Sequence, residues 1–561
     1  MASCKWNLCS LRLLREVMIS AEGQTIGKAF QQAVAQYPKN IFLMVPKDPD
    51  RAYHPNGYSI TYLGAQKEVD KIANQLRKAG YGHGHRIVTL LENQPEFVLV
   101  KLACNQLGIS IVPVNPDYRS AEIAYLLEDS NAQLAIVLTR CSKQFMDAVV
   151  SSTSEIPVVM FENMQNNIPP SSSRPPDSAP VHTETEASLL YTSGTTGQPK
   201  GCRTGHEYEL MLGFWYVTRG GIIQFEEGKE RLLNPLPLFH INSAIVSLFA
   251  VMLTGNCQIQ PDRFSPSKWW SIIRETETTI VHYLGTIVPI LMSAEPTKHD
   301  QDHNVKFAFS AGLEPFLHGA FEQRFGFPLI EGWGMTEFCR LLLDCHEPRQ
   351  INTRAIGKPQ SGLEVRVVDL NDRDVPVGES GEMLVRHSAQ TPRKWAFLGY
   401  LNKSDITEDA WRGGWFHTGD TVCQDKTGMI YFVDRKKNII RRSGENIAAT
   451  EVEAVIQEHL AVAQVTCIAV VDELRDEEVF ACIVPATQVE INEATALDIF
   501  NHCFARLAYY KAPGWLLFVE SLPVTGTQKV LKHKIFSADV DPRKQEGVYD
   551  FRRFKKRTIN E

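Results

Sequence analysis

Between Leu189 and Gly201 the chain reads LLYTSGTTGQPKG. Hydroxyls of Thr192, Ser193, Thr195 and Thr196 are interleaved with Gly194 and Gly197, and Lys200 follows closely. Glycine lets backbone N–H groups approach an oxygen anion, hydroxyls donate to it, and the lysine adds a full positive charge. These are groups for holding phosphate. The apolar run from Ala187 to Tyr191 suits a buried strand that empties into this loop. The P-loop of nucleotide hydrolases needs Gly-Lys-Ser/Thr, whereas Pro199 precedes this lysine and Gly201 follows it, so that motif is excluded. The plain alternative is a solvated loop of Gly, Ser and Thr.

From Tyr191 to Gly201 the loop resembles, almost letter for letter, the signature phosphate loop of the adenylate-forming enzymes: acyl-CoA synthetases, luciferases and peptide-synthetase adenylation domains. The likeness extends from roughly Thr25 to Lys534. It implies that Thr192, Ser193, Gly194, Thr195, Thr196, Gly197 and Lys200 hold the β- and γ-phosphates of ATP. Activating a carboxylate with ATP brings two anions together, so cations, a metal site and a grip on adenosine are all required.

The remaining motifs supply those parts by the same resemblance. In Glu331-Gly332-Trp333-Gly334-Met335-Thr336-Glu337, Trp333 is implied against adenine, the Thr336 hydroxyl at a phosphate and Glu337 on Mg2+, a hard ion suited to carboxylate and phosphate oxygen. An edge strand with a tight glycine turn is the alternative. Ser310-Ala311-Gly312 resembles the small-residue turn that admits adenine. In Trp415-Phe416-His417-Thr418-Gly419-Asp420, Asp420 is implied on the ribose hydroxyls; in Tyr431-Phe432-Val433-Asp434-Arg435, Arg435 is implied on ribose and phosphate, with Phe432 beside it. Lys437 stands at the family's hinge. Lys529, closing Leu522 to Lys529, is implied as the catalytic lysine between carboxylate and α-phosphate, although Gln528 replaces the usual glycine before it; Lys532 and Lys534 are the alternatives. Arg441, Gly444 and Glu445 lie in the segment the family uses for the pantetheine arm of CoA.

For the acid itself the resemblance points to Phe239 to Asn242, the helix Ser243 to Leu253, Tyr283 to Thr286, and Phe338-Cys339-Arg340. His240 is implied at the carboxylate, with a core histidine as its alternative; Arg340 could pair with a second acid or a polar tail. The wording from Tyr191 to Glu207 and from Tyr283 to Leu291 resembles the crotonobetaine/carnitine-CoA ligase-like branch, which implies a short, branched or polar acid. The implied activity is an ATP-, Mg2+- and CoA-dependent acid:CoA ligase. Two other readings stay open: an adenylation enzyme loading a carrier protein, and a non-catalytic nucleotide-binding protein of the same fold.

These residues need elements to position them. At 561 residues the chain exceeds one ordinary core, and its net charge of −7 argues against a nucleic-acid partner. Strands alternating with helices from Arg86 to Leu138, and again from Leu232 to Gly334, predict two α/β lobes with parallel sheets. Short alternating runs from Leu363 to Arg386 predict a hairpin or small β-barrel. The chain after Arg435 reads as a small, mobile α+β domain, so the expected division is 19–434 and 435–561. The longest apolar run, Ala244 to Leu253, is too short for a membrane span. Twelve scattered cysteines without a Cys-x-x-Cys pair indicate a reducing, cytoplasmic setting; Cys339, Cys345 and His346 lack a fourth metal ligand of sensible spacing. Small-molecule acid and CoA are the expected partners, and an oligomer is left open.

Overall fold

Thr25 starts the first helix, Ile26–Gln36: its hydroxyl accepts the Lys28 N–H, and Ile26, Ala29, Phe30, Ala33 and Val34 form the buried stripe. The computed structural model describes residues 18–118, 120–171, 175–192, 199–283, 285, 287–435, 438–442, 445–472, 475–507, 509–524, 530–537 and 540–555. Packing divides the chain into two units: residues up to Glu364 with Arg386–Phe416, and Val365–Val385 with the chain from His417 onward.

The first unit carries both sheets expected of the two lobes, and the chain interleaves them. One sheet has seven strands in the order Gly399–Tyr400, Lys200–Gly205, Glu186–Thr192, Ser110–Pro113, Arg86–Leu90, Leu134–Val137, Val158–Met160. Its last five strands are parallel, and the Lys200 strand turns back antiparallel on the Glu186 strand. The other has eight: Phe338–Leu343, Leu329–Met335, Phe307–Ser310, Ile280–His282, Arg231–Leu233, Cys257–Ile259, Ile41–Val45, Tyr58–Thr61. Thus the N-terminal strand Ile41–Val45 leaves the lobe that follows it in sequence and pairs in parallel with Cys257–Ile259. Val88, Val112, Val137 and Leu189 pack with Leu127 and Phe145 on the first sheet, and Leu233, Ile259, Val281 and Leu329 with Trp269, Phe321 and Phe325 on the second. Ser310-Ala311-Gly312, the phosphate loop and Met335-Thr336-Glu337 all follow the carboxyl ends of strands, where open α/β sheets bind ligands.

Helix Pro95–Gln106 begins with proline in its first turn and is buried on nearly every side. Its Lys101 is fully buried, donates to Glu209 (2.7 Å) and Ser188 (2.6 Å), and Glu209 also accepts from Thr204 (2.8 Å).

In the second unit, Glu364–Val368, Ser380–Arg386, Phe416–Gln424 and Ile430–Arg435 are successive neighbours of a sheet, with the expected hairpin at its start. Beyond them a second sheet runs Glu445–Ala448, Ile439–Arg442, Asp476–Pro485, Trp515–Phe518, Tyr549–Asp550, with Val462–Asp472 also on Asp476–Pro485. Helices Ala449–Gln457 and Glu493–Arg506 cover it through Val452, Ile456, Ile499 and Phe500. No helix among the described residues is long and apolar enough to cross a membrane.

Removing one partner of a buried ion pair leaves the other uncompensated. Lys101→Met should therefore destabilise the fold by about 3–5 kcal/mol in urea unfolding, and the double change Lys101→Met/Glu209→Met should recover most of that loss.

Candidate active site

Both flanks of the candidate phosphate loop are pinned. Thr192 pairs with Lys200 and Tyr191 with Gly201 across the antiparallel strands. The Tyr191 hydroxyl donates to Asp129 (2.7 Å), the Tyr125 hydroxyl to the Pro199 carbonyl (2.9 Å), and the Leu401 N–H to the Gly201 carbonyl (2.8 Å). Ser193, Gly194, Thr195, Thr196 and Gly197 lie outside the described residues, as do Lys437, Gly444 and Lys529, together with the side chains of Ser310, Arg435, Arg441 and Glu445.

Leu329–Met335 and Phe338–Leu343 form an antiparallel hairpin in which Met335 faces Phe338, so Thr336 and Glu337 make its turn. The Thr336 carbonyl accepts from the Tyr208 hydroxyl (2.8 Å) and the Glu337 carbonyl from the Phe397 N–H (3.0 Å). Glycine at 332 is dictated by packing: a Cβ there would lie 2.4 Å from Leu343 and 2.6 Å from the Phe309 ring. Trp333 and Glu337 are buried, with 5% and 8% exposed. The Glu337 carboxylate accepts from the Tyr400 hydroxyl at 2.7 Å, and Lys200 Nζ sits 4.4 Å from the centre of the same ring. Burial, and then the Glu337 charge, push the Tyr400 phenol far above its ordinary value, so it keeps its proton and remains a donor.

Lys200, Thr336 and Glu337 are therefore brought together, and Tyr400 joins them. The sequence reading missed Tyr400, because only the pairing of Gly399–Tyr400 with Arg203 and Cys202 carries it there. One carboxylate beside a threonine hydroxyl is an all-oxygen donor set, and magnesium takes one or two carboxylates with phosphate and water. The residues fit that ion.

Glu331 holds the Ala311-Gly312 turn that the sequence pointed to for adenine. Its two carboxylate oxygens accept from the N–H groups of Gly312 (2.7 Å) and Leu313 (3.2 Å), and Gly285 donates to the Ala311 carbonyl (2.9 Å). Only glycine fits at 285, where a Cβ would lie 1.7 Å from the Gly312 oxygen. Burial raises Glu331 to about 7, against the pull of those two N–H groups and of the Arg354 and His318 charges.

His240 is half-buried against the Phe239 ring (4.5 Å) and leads into Asn242–Ser247, which is wound as a π-helix before the α-helix Leu248–Leu253. Such widened turns concentrate at functional sites, and the apolar run that predicted one buried helix gave no sign of it. A fully buried histidine packs on this turn instead, His282, bonded to the Asn242 side chain (2.8 Å) and the Tyr216 hydroxyl (3.1 Å), and burial lowers it to about 3.

In the second unit, Asp420 pairs with Arg435 across adjacent strands and Phe432 with Val422. Asp420 is fully buried, and its turn is set by Thr418, whose hydroxyl donates to the Met383 carbonyl (2.7 Å) and accepts the Asp420 N–H (3.1 Å). Gly419, at φ 70°, donates to Glu382 (3.2 Å). Glu382, Asp372 and His417 have ligand-type atoms within 4.8 Å of one another, a gathering that sequence spacing did not reveal. Among the described residues this is the only such group, and Cys339, Cys345 and His346 do not form one. Lys532 is tied to Glu453 (2.8 Å) and the Cys467 carbonyl (2.9 Å).

The family model of AMP-binding enzymes matches residues 30–401, and that of their C-terminal domain matches residues 451–529. The chain belongs to the AMP-binding enzyme family. This AMP-binding enzyme is 27% identical to a crotonobetaine/carnitine-CoA ligase of Escherichia coli over 499 residues, covering 86% of this chain and 93% of that one. It is equally 27% identical to the ligase of that name from Salmonella arizonae, over 85% of this chain and 92% of the relative. Among solved structures, the o-succinylbenzoate CoA synthetase of Bacillus subtilis with its acyl-adenylate superposes with a TM-score of 0.77 at 24% identity, covering 92% of this chain and 98% of the other. A benzoate CoA ligase from Burkholderia xenovorans gives 0.77 at 20% identity, covering 92% and 100%. These likenesses establish the fold, a large N-terminal and a small C-terminal domain of mixed α/β structure.

Tyr400→Phe keeps the ring under Lys200 but removes the donor to Glu337. The Mg2+ concentration for half-maximal pyrophosphate release should rise about tenfold, the scale for losing a group that orients a metal ligand; an unchanged requirement would count against that role. Glu331 accepts both N–H groups when ionised, so ATP affinity measured by titration should strengthen as pH rises through about 7, and Glu331→Gln should flatten the profile. The same group, at 4.5 unfolded and about 7 folded, contributes stability below pH 4.5 that is lost as pH rises through about 7.

Proposed function

We propose that this AMP-binding enzyme is an ATP- and Mg2+-dependent carboxylic acid:CoA ligase. It joins a carboxylate to the α-phosphate of ATP, releasing pyrophosphate, and then passes the acyl group from AMP to the thiol of CoA. The observation that supports this best is the meeting of Lys200, Tyr400, Thr336 and Glu337, which sets a cation for phosphate beside a carboxylate for metal. The printed names of the curated relatives, CoA ligases, favour CoA as the acceptor, and the Bacillus subtilis synthetase has also been solved with ATP and magnesium ion.

In this reading Lys200 and the loop hydroxyls draw charge from the β- and γ-phosphates. Thr336 and Glu337, the latter oriented by Tyr400, would hold magnesium, which supplies charge neutralisation at the phosphates. Trp333 and the Ala311-Gly312 turn set by Glu331 take adenine, and Asp420 with Arg435 takes the ribose. His240 faces the incoming carboxylate. Lys529 stabilises the charge that develops as the carboxylate oxygen reaches the α-phosphorus; the neighbouring Lys532 is already committed to Glu453. Residues 435–561 act as the mobile domain, with Lys437 as hinge, and Arg441, Gly444 and Glu445 serve the pantetheine arm in the second step. The acid is short, branched or polar.

Purified protein given ATP, Mg2+, CoA and a panel of carboxylic acids should form AMP and pyrophosphate only when an acid is present. Lys529→Ala should slow acyl-adenylate formation by a factor on the order of 10² or more, yet still let CoA attack supplied acyl-adenylate. Equal loss of both steps would make the lysine structural.

A further inference from the structure

Trp215 lies against two buried arginines. The guanidinium carbon of Arg219 is 3.3 Å from its ring centre and that of Arg340 is 4.0 Å, and Arg340 also lies 4.5 Å from the centre of Trp395. Only 7% of Arg219 and 2% of Arg340 is exposed. Arg219 donates to the Trp215 carbonyl (2.7 Å) and to the Gln360 side chain (2.5 Å), and Arg340 to the Gly362 carbonyl (3.2 Å) and the Cys339 sulfur (3.1 Å). Those acceptors are all neutral. Burial pushes the Cys339 thiol up to about 11, so it carries no charge to offset the arginine. Among the described residues neither guanidinium has a carboxylate within ion-pair distance, and the second terminal nitrogen of each makes no hydrogen bond.

The two cations also act on each other. Burial, and then the charge of Arg340, pull Arg219 down to about 9, which leaves it protonated at neutral pH. A third donor lies nearby: the indole N–H of Trp395, whose ring Arg340 overlies, is buried without a partner. Trp395 holds a left-handed backbone (φ 57°), which a bulky residue keeps only where its surroundings enforce it. Of the remaining charged or titratable neighbours, Glu22 supports the charge of Arg340 without reaching ion-pair distance. Glu22 is paired with Lys394 (2.9 Å), and His387, 5.2 Å from Trp395 between ring centres, is lowered by burial and by Arg340.

Buried charges are ordinarily paired, and an uncompensated one is strongly unfavourable. A donor set of two guanidiniums and an indole N–H is complementary to a carboxylate, which arginine grips in a planar fork. Its place along the chain says which carboxylate. Arg340 stands three residues beyond Glu337 on the strand Phe338–Leu343, roughly 10 Å in extended chain. The helix His206–Val217 runs beside that strand, touching the Thr336 carbonyl through Tyr208 (2.8 Å) and the Leu341 carbonyl through the Trp215 indole (3.1 Å).

We propose that Arg340, Arg219 and the Trp395 N–H form a subsite for an anionic tail on the acid, so that the substrate is a dicarboxylic acid with its second carboxylate on the order of 10 Å from the metal-holding turn. This rests on the ligase reading and narrows it. The same two charges repel a quaternary ammonium tail, the group that crotonobetaine and carnitine carry.

The test compares straight-chain dicarboxylates, monocarboxylates of equal length and trimethylammonium acids, read by AMP formation and by the rise each gives in the thermal midpoint of the protein. Dicarboxylates should lead in kcat/KM by at least about tenfold, since a site built from donors rejects an analogue that lacks the acceptor. Arg340→Met should lower the dicarboxylate-to-monocarboxylate ratio by about 10² through KM, and the dicarboxylate-specific rise in midpoint should vanish. The midpoint of the variant without ligand should not fall, because a buried unpaired charge has been removed. Equal use of monocarboxylates by the wild type, preference for the ammonium acids, or a ratio that Arg340→Met leaves unchanged overturns the subsite. If no acid yields AMP, the ligase reading fails by itself; the midpoint shifts then decide the subsite, and the lack of any dicarboxylate-specific rise overturns it.

Discussion

The hydroxyl of Tyr400 donates to Glu337 while its ring lies under Lys200. A direct ion pair between Lys200 and Glu337 would be the obvious contact for opposite charges so close. In the proposed reaction it would also quench both, since there the lysine would meet phosphate and the carboxylate a divalent ion. The tyrosine contacts both: the ring face attracts the ammonium, and the phenol, held protonated by burial, donates to the carboxylate. Three distant pieces of chain, at 200, 337 and 400, are thereby fixed to one point.

The rest of the first unit follows from delivering those pieces. Neighbouring parallel strands end together, so the turns after Ser310 and Met335 emerge at the carboxyl ends of adjacent strands. Glycine at 285 lets the Gly312 backbone approach to a distance no side chain allows, and glycine at 332 makes room for the Leu343 and Phe309 side chains. Polar groups inside this framework are tolerated where they are matched, as Lys101 is by Glu209 and Ser188. The contrast with Arg219 and Arg340, buried to a similar degree and facing only neutral acceptors, is what singles that pair out.

Much of this was legible in the sequence where the signal is local. Period-2 runs announced the strands Glu364–Val368 and Ser380–Arg386, and apolar runs beside helical stretches announced the sheets. The Thr336-Glu337 segment was marked by the resemblance of its motif, and the structure shows it as the turn between two paired strands. Tyr400 was not marked, because its role comes from strand pairing rather than from its neighbours in sequence. Glu331 stands in the same motif as Thr336 and Glu337, and that its carboxylate holds the Gly312 and Leu313 backbone is a bond between segments that no spacing reports. The widened turn at Asn242–Ser247 was hidden for another reason, since apolar composition does not distinguish π from α winding.

The exchange of strands between the two sheets has a consequence for how the molecule is made. Ile41–Val45 finds its parallel neighbour only when Cys257–Ile259 has left the ribosome, roughly 200 residues and about 10–40 s later at ordinary rates of synthesis. Until then it can pair only with Tyr58–Thr61 in a lone hairpin, which is marginal in water. Its apolar side chains Phe42, Leu43 and Val45, sealed in the finished protein, are meanwhile exposed, so the nascent chain passes through an interval in which a holding chaperone has a defined segment to grip.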